Sequence, residues 1–148
     1  MSRLRRILHP TDFTRASTAA FKRAVARAKA DRAQLLIAHV LAPTVPMAGE
    51  GYISPKVYDD LETSAEKYAQ KRLAALQAKA RAAGVKAVTL LLDGVADQQI
   101  VRAARLKKAD LIIMGTHGRS GLAKFFLGSV TSRVVATAHC PVLTVRGR

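Results

Sequence analysis

The sequence predicts an α/β protein: a doubly wound parallel sheet of five strands with helices on both faces. Three observations predict it. Five short apolar runs occur along the chain, at Arg6–His9, Gln34–Leu41, Ala87–Leu92, Leu111–Met114 and Val142–Val145. Most are continuously apolar rather than alternating, which is how strands covered on both faces read. Stretches of helical periodicity separate them, and strict strand–helix alternation implies right-handed crossovers that place helices on both sides of the sheet. The length of 148 residues and the hydrophobic content of 49% suit one domain with a full core, so residues 1–148 are read as a single unit.

The elements follow in order. After the first run, Phe13 to Asp31 places Phe21, Ala24, Val25 and Ala28 at i, i+3, i+4 and i+7, with Arg15, Lys22 and Lys29 on the opposite face. A connection rich in Pro and Gly, Ala42 to Val57, follows the second run and reads as a mobile loop or a lid. Asp59 to Ala83 reads as a long alanine-rich helix ended by Gly84. Ala96 to Lys108 is a third helix, closed by Lys107 and Lys108, cations that suit a helix C-terminus. Ser129 to Ala138 is a fourth, stopped by Pro141.

The stretch Leu111 to Thr131 carries the chemistry. A buried-strand signal ending at Met114 meets Gly115, and Gly118, Gly128 and Ser129 complete the pattern G-x2-G-x9-G-S. It reads as a strand, a long glycine-punctuated loop and a helix N-capped by Ser129. Glycines let a backbone approach a ligand closely, and the free N–H groups at a helix start attract an anion. Loops this long are usually functional or disordered. Amides of Thr116, His117 and Arg119 lie where they would cover phosphates, and Val130 and Thr131 fill the first turn after Ser129. Arg119 or Lys124 adds charge there or is simply solvated, and Thr131 supports Ser129 or packs. The pattern is neither a Walker A loop nor a GxGxxG fingerprint. Pro10, Thr11 and Asp12 end the first strand. Asp12 has two readings: a ligand to ribose, adenine or hydrated Mg²⁺, or a cap on the helix that follows.

Other features narrow the class. The net charge is +15, from 25 Lys+Arg against 10 Asp+Glu, and attracts polyanions without specificity. Aromatic residues are only 5%, with no basic-aromatic interleaving, so nucleic-acid binding ranks low. The single cysteine, Cys140, forms no intrachain disulfide and reads as a small buried residue of a reducing compartment. With no membrane-length apolar run and no signal-peptide core, a cytoplasmic location is expected. The histidines at 9, 39, 117 and 139 lack metal-ligand spacing. No G-x-S-x-G elbow and no paired carboxylates occur, which points to a binding protein rather than an enzyme. The hydrophobic insert Phe125-Phe126-Leu127 is expected to bury against the domain or a partner.

The glycine pattern resembles the nucleotide-binding loop of the universal stress protein family, whose ATP-binding members carry G-x2-G-x9-G-[S/T]. Ile7-Leu8-His9-Pro10-Thr11-Asp12-Phe13-Thr14 is similar to the family's first strand and turn, and His139 to Arg146 to its last strand. The resemblance implies a Rossmann-like sheet of strand order 3-2-1-4-5, which sets the Asp12 turn beside the Gly115 loop in one crevice. It implies ATP with Mg²⁺ as the ligand, a small apolar residue, Val40, against the adenine, and a homodimer formed through the last strand. It implies a nucleotide-dependent sensor or regulatory module in stress response. The rivals are an interaction module with no nucleotide and a non-specific polyanion binder. The segment Asp93 to Ile100 departs from the family's G-x-P pattern, with Ala96 where proline is common. A proline there preorganises a first turn, so only a small loss of stability is expected.

Overall fold

A computed structural model of the protein describes residues 3–43, 54–117 and 127–147. Strands and helices alternate: β1 (Arg6–Pro10), α1 (Arg15–Asp31), β2 (Gln34–Leu41), α2 (Pro55–Ala82), β3 (Ala87–Asp93), α3 (Ala96–Leu106), β4 (Leu111–Gly115), α4 (Ser129–Thr137) and β5 (Val142–Val145). The strands form one parallel sheet of order β3-β2-β1-β4-β5. The chain winds outward from β1 through β2 to β3, then crosses back to β4 and on to β5. The order therefore reverses between β1 and β4.

The period-2 alternation of the strands sorts their side chains into two cores. On one face Ile7, Leu35, Ile37 and Ile113 pack against α1 and α2 through Ala20, Phe21, Ala24, Ala28, Leu73 and Ala80. On the other, Leu8, Leu36, Ala38, Ile112 and Met114 meet Ile100, Ala103 and Ala104 of α3 and Val134 of α4. This is why the runs read as continuously apolar: consecutive residues are buried in opposite layers. Each fully buried isoleucine contributes about 1.5–3 kcal/mol. Alanine on the inner helix faces brings the helices close to the sheet.

Helix boundaries depart from expectation at three starts. Phe13 does not begin α1. It takes φ 64, outside helical space, and Thr14 is the N-cap. The second helix begins at Pro55 rather than Asp59, because Ser54 caps it by accepting from Val57 N–H at 3.3 Å and Pro55 suits a first helical position. Ser129 is not the N-cap of α4. Gly128 holds that position and Ser129 is the first helical residue, without a side-chain cap bond. Gly84, at φ 87, follows the end of α2 as expected. Ala96, in place of the family's proline, opens α3, with Asp97 in the first turn beside the positive helix end. Most of the Ala42–Val57 connection, including Pro46, Gly49 and Gly51, lies outside the described residues, as do Phe125 and Phe126. Leu127 is half-exposed. Cys140 is half-buried beside the α3–α4 core, where burial, and then Asp110, push its thiol pKa up. No helix among the described residues is long and apolar enough to cross a membrane.

Candidate functional site

A crevice opens at the carboxyl ends of the strands where the order reverses, and its cause is local. Gln34 N–H donates to Arg5 O, Thr11 N–H to Ala38 O and Asp110 N–H to Arg6 O. Odd-numbered residues of β1 therefore turn their peptide groups toward β2, and even-numbered ones toward β4. Pro10 is even and has no N–H to offer β4. The β1–β4 ladder accordingly stops at Leu8 and Ile112, whereas β1–β2 continues to Pro10 and Ala38. Beyond Leu8 a side chain ties the two strands: the fully buried His9 ring, whose Nδ1 lies 2.9 Å from Ile113 O. β4 runs on to Gly115, and the strands part.

The resulting cavity, about 390 Å³, brings together eleven of the expected residues: Pro10, Thr11, Asp12, Val40, Met114, Gly115, His117, Gly128, Ser129, Val130 and Thr131. Such gaps are where open α/β sheets bind ligands. Thr116 is not among the lining. It is buried, with its N–H on Val145 O at 3.0 Å, its carbonyl accepting from Gly128 N–H at 2.7 Å and its hydroxyl 2.9 Å from His117 Nδ1. Those bonds to β5, Gly128 and His117 make it shape the loop instead of facing the crevice. Gly118 and Arg119 lie outside the described residues, as does Lys124. The structure adds Ser17, Ala38, His39, Ala96 and Ile100 to the lining. Ala38 had a readable signal, two residues before Val40 on the same face of its strand. The helix residues had none, since only packing of α1 and α3 against the sheet brings them there.

Two sets of peptide groups face this space. At one end, Gly115 is odd-numbered and turns its peptide groups toward the β1 side, where the β1–β4 register has ended. Its carbonyl accepts from Thr131 Oγ1 at 2.8 Å, which docks the first turn of α4 onto the end of β4. The amides of Ser129, Val130 and Thr131 precede the first intrahelical bond of α4, Ser132 N–H to Gly128 O at 2.9 Å, and have no backbone acceptor among the described residues. They carry the positive end of the helix dipole. At the other end, Val40 has the parity of Ala38, so its N–H and carbonyl project past the end of β1. Ala38, Val40, Met114 and Ile100 make that end apolar.

Asp12 is the carboxylate among the described lining residues. Its Oδ1 accepts from Thr14 N–H at 3.0 Å and from the Thr14 hydroxyl, forming a turn before α1 rather than capping the helix itself. Phe13 N–H donates to Thr11 Oγ1 at 3.0 Å, and the Thr11 and Ser17 hydroxyls lie 3.0 Å apart. The turn is thus fixed from within through Oδ1, and Asp12 Oδ2 has no hydrogen-bond partner among the described residues. No group of three metal-ligating side chains occurs among the described residues.

A sheet of this order, with helices on both faces and a cleft where the order reverses, defines a doubly wound α/β protein. Residues 3–146 match the model of the universal stress protein family, and the chain belongs to that family. It is similar to a universal stress protein of Methanocaldococcus jannaschii, with 38% identity over 96% of this chain and 82% of the relative. Among solved structures it is similar to the universal stress protein UspA of Lactobacillus plantarum, with TM-score 0.84, 26% identity, and coverage of 99% of this chain and 100% of the other. A universal stress protein in complex with cAMP superposes with TM-score 0.73 at 28% identity, over 99% of this chain and 100% of the other.

Proposed function

We propose that this chain binds an adenine nucleotide, ATP with Mg²⁺, in the β1–β4 crevice and works as a nucleotide-dependent sensor module rather than an enzyme. The observation that carries the reading is the pairing of peptide groups at the two ends of one cavity, the free amides at the start of α4 at one and the Val40 edge at the other. The amides of the first turn of α4 suit phosphate oxygens. The Val40 N–H and carbonyl form a donor–acceptor pair matching the Watson–Crick edge of adenine, with Val40, Met114 and Ile100 against the ring. The cAMP complex of a relative supports the nucleotide class. Asp12 fits Mg²⁺ that arrives with the phosphates, because Mg²⁺ commonly needs only one or two carboxylates beside phosphate oxygens and water. Asp12 is the one carboxylate among the described lining residues, with no second carboxylate to pair with it in acid–base work, which supports binding rather than efficient turnover.

The free edge of β5 completes the reading. Leu143 is half-exposed there, and an exposed apolar edge strand is normally covered. A second copy pairing along β5 covers it, giving a homodimer, and the setting is the cytoplasm.

Titration of nucleotide-free protein with ATP tests the proposal, together with mass spectrometry of nucleotide released on purification. Ser129→Asp keeps a residue that helix starts favour but sets a negative charge where phosphate is expected. ATP affinity is expected to fall at least about tenfold, equivalent to 1.4 kcal/mol, while adenosine affinity holds. Equal ATP binding by both proteins rejects the phosphate cradle.

A further inference from the structure

We infer that the groove between the start of α1 and the C-terminal half of α2 is a second binding site, for a small organic anion with an apolar body. It is a cavity of about 220 Å³, on the opposite side of the Thr11–Ser17 hydroxyl pair from the nucleotide crevice. Phe13, Phe21 and Leu76 give it apolar surface, beside the hydroxyl residues Thr11, Thr14, Ser17 and Thr18. Three cations rim it: Lys22 from α1, and Arg72 and Lys79 from one face of α2.

No carboxylate lines this groove among the described residues. The ion pairs among those residues are Arg27–Asp31 and Arg133–Asp97, so none of the three cations has an acidic partner. Convergent like charges repel, and an anion between them relieves the repulsion. Arg72 is already oriented for the task. Its Nη1 donates to Tyr68 Oη at 3.1 Å and its Nη2 to Phe13 O at 3.3 Å, and its guanidinium lies 5.3 Å from the Phe13 ring centroid and 5.8 Å from that of Tyr68. Five N–H donors sit on that planar fork, so those two bonds hold it in place and leave donors over for a carboxylate. Phe13 is held as well: its left-handed backbone turns the ring onto His39, 4.3 Å between centroids. Apolar surface beside three unpaired cations favours an amphipathic anion over inorganic phosphate, which would gain nothing from that surface. The cavity is smaller than the crevice at 390 Å³, which favours a compact ligand over a nucleotide.

The test uses 2-naphthoate as the probe on ¹⁵N-labelled protein, followed by amide chemical shifts, first without and then with saturating ATP. Saturable shifts are expected at residues 14–22 and 72–79 in both conditions. Neutral 2-naphthamide is expected to bind at least tenfold more weakly. The exposed pair Lys22→Gln with Lys79→Gln is expected to weaken naphthoate at least tenfold with the melting temperature unchanged, and added salt to weaken it further. Equal binding of acid and amide overturns the site, as does an unchanged affinity in the double variant. Shifts that gather instead at residues 115 and 128–131, and vanish with ATP, also overturn it while leaving the nucleotide reading intact. Loss of ATP binding alone, with naphthoate still in the groove, rejects the nucleotide reading and not this one.

Discussion

Acidification should destabilise this protein through one buried ring. His9 is fully buried, and its Nδ1 meets a backbone carbonyl at 2.9 Å. A carbonyl only accepts, so Nδ1 carries the proton and Nε2 is a bare lone pair, without a partner among the described residues. Protonating Nε2 places a charge and an unpaired N–H inside the α1-side core. Burial therefore lowers the His9 pKa from 6.5 to about 4, against smaller opposing effects from the Ile113 bond and Asp12. The unfolded chain takes up this proton near its ordinary pKa, and the folded chain only near the lowered one. The stability is fully present above 6.5, falls as pH drops from 6.5 toward about 4, and levels off below. At 1.36 kcal/mol per pH unit the gap amounts to roughly 3 kcal/mol, a large fraction of the ~5–15 kcal/mol that holds most domains folded. Urea denaturation of the native chain and His9→Leu, from about pH 8 to about pH 4.5, measures it. The variant loses the Ile113 bond and starts lower, yet the deficit is expected to shrink on acidification, because the carboxylates common to both proteins cancel. Stability curves that stay parallel across this range refute the argument, as does a His9 ring resonance titrating near 6.5.

Three further outcomes follow from single contacts. Thr131→Val keeps the shape but removes the hydroxyl that holds Gly115 O at 2.8 Å; thermal denaturation is expected to show a loss of about 1–3 kcal/mol, with ATP affinity falling as the start of α4 comes loose from β4. Gly94→Ala forces a side chain onto φ 132 with its Cβ 3.0 Å from Gln99 Nε2; a loss of about 1–3 kcal/mol in urea denaturation is expected, and no loss counts against the turn geometry. Leu143→Arg puts a charge on the half-exposed edge of β5; light scattering is expected to report monomer with ATP binding retained, and an unchanged dimer shows that copies pair elsewhere.

Strand positions were legible in the sequence because burial on both faces writes itself into consecutive residues such as Ile7–Leu8 and Ile112–Ile113. Helix ends were legible where backbone chemistry is local, as at Gly84. They were misread where a neighbour in space decides. Phe13 looked helical, but the Asp12–Thr14 turn and the stack on His39 hold it out of α1. Ser129 looked like a cap, but Gly128 is held by Thr116 O and takes that place. Pro10, Asp12, Gly115 and Gly128 could be singled out because turns, proline and glycine constrain the backbone wherever they stand. Ser17, Ala96 and Ile100 could not, since an alanine or isoleucine on a helix reads as core in any fold.

By itself the sequence determined which segments are strands and helices and which residues face a core, because each of these follows from chemistry within a few residues. Strand order came only by resemblance until the sheet was seen, since periodicity says nothing about which strand lies beside which. Tertiary structure alone decided that β1 and β4 part beyond Leu8, that Val40 presents its peptide edge to the gap, and that Lys22 meets Arg72 and Lys79 across two helices. Those are relations between residues distant along the chain, and only the packing of helices on a twisted sheet sets them.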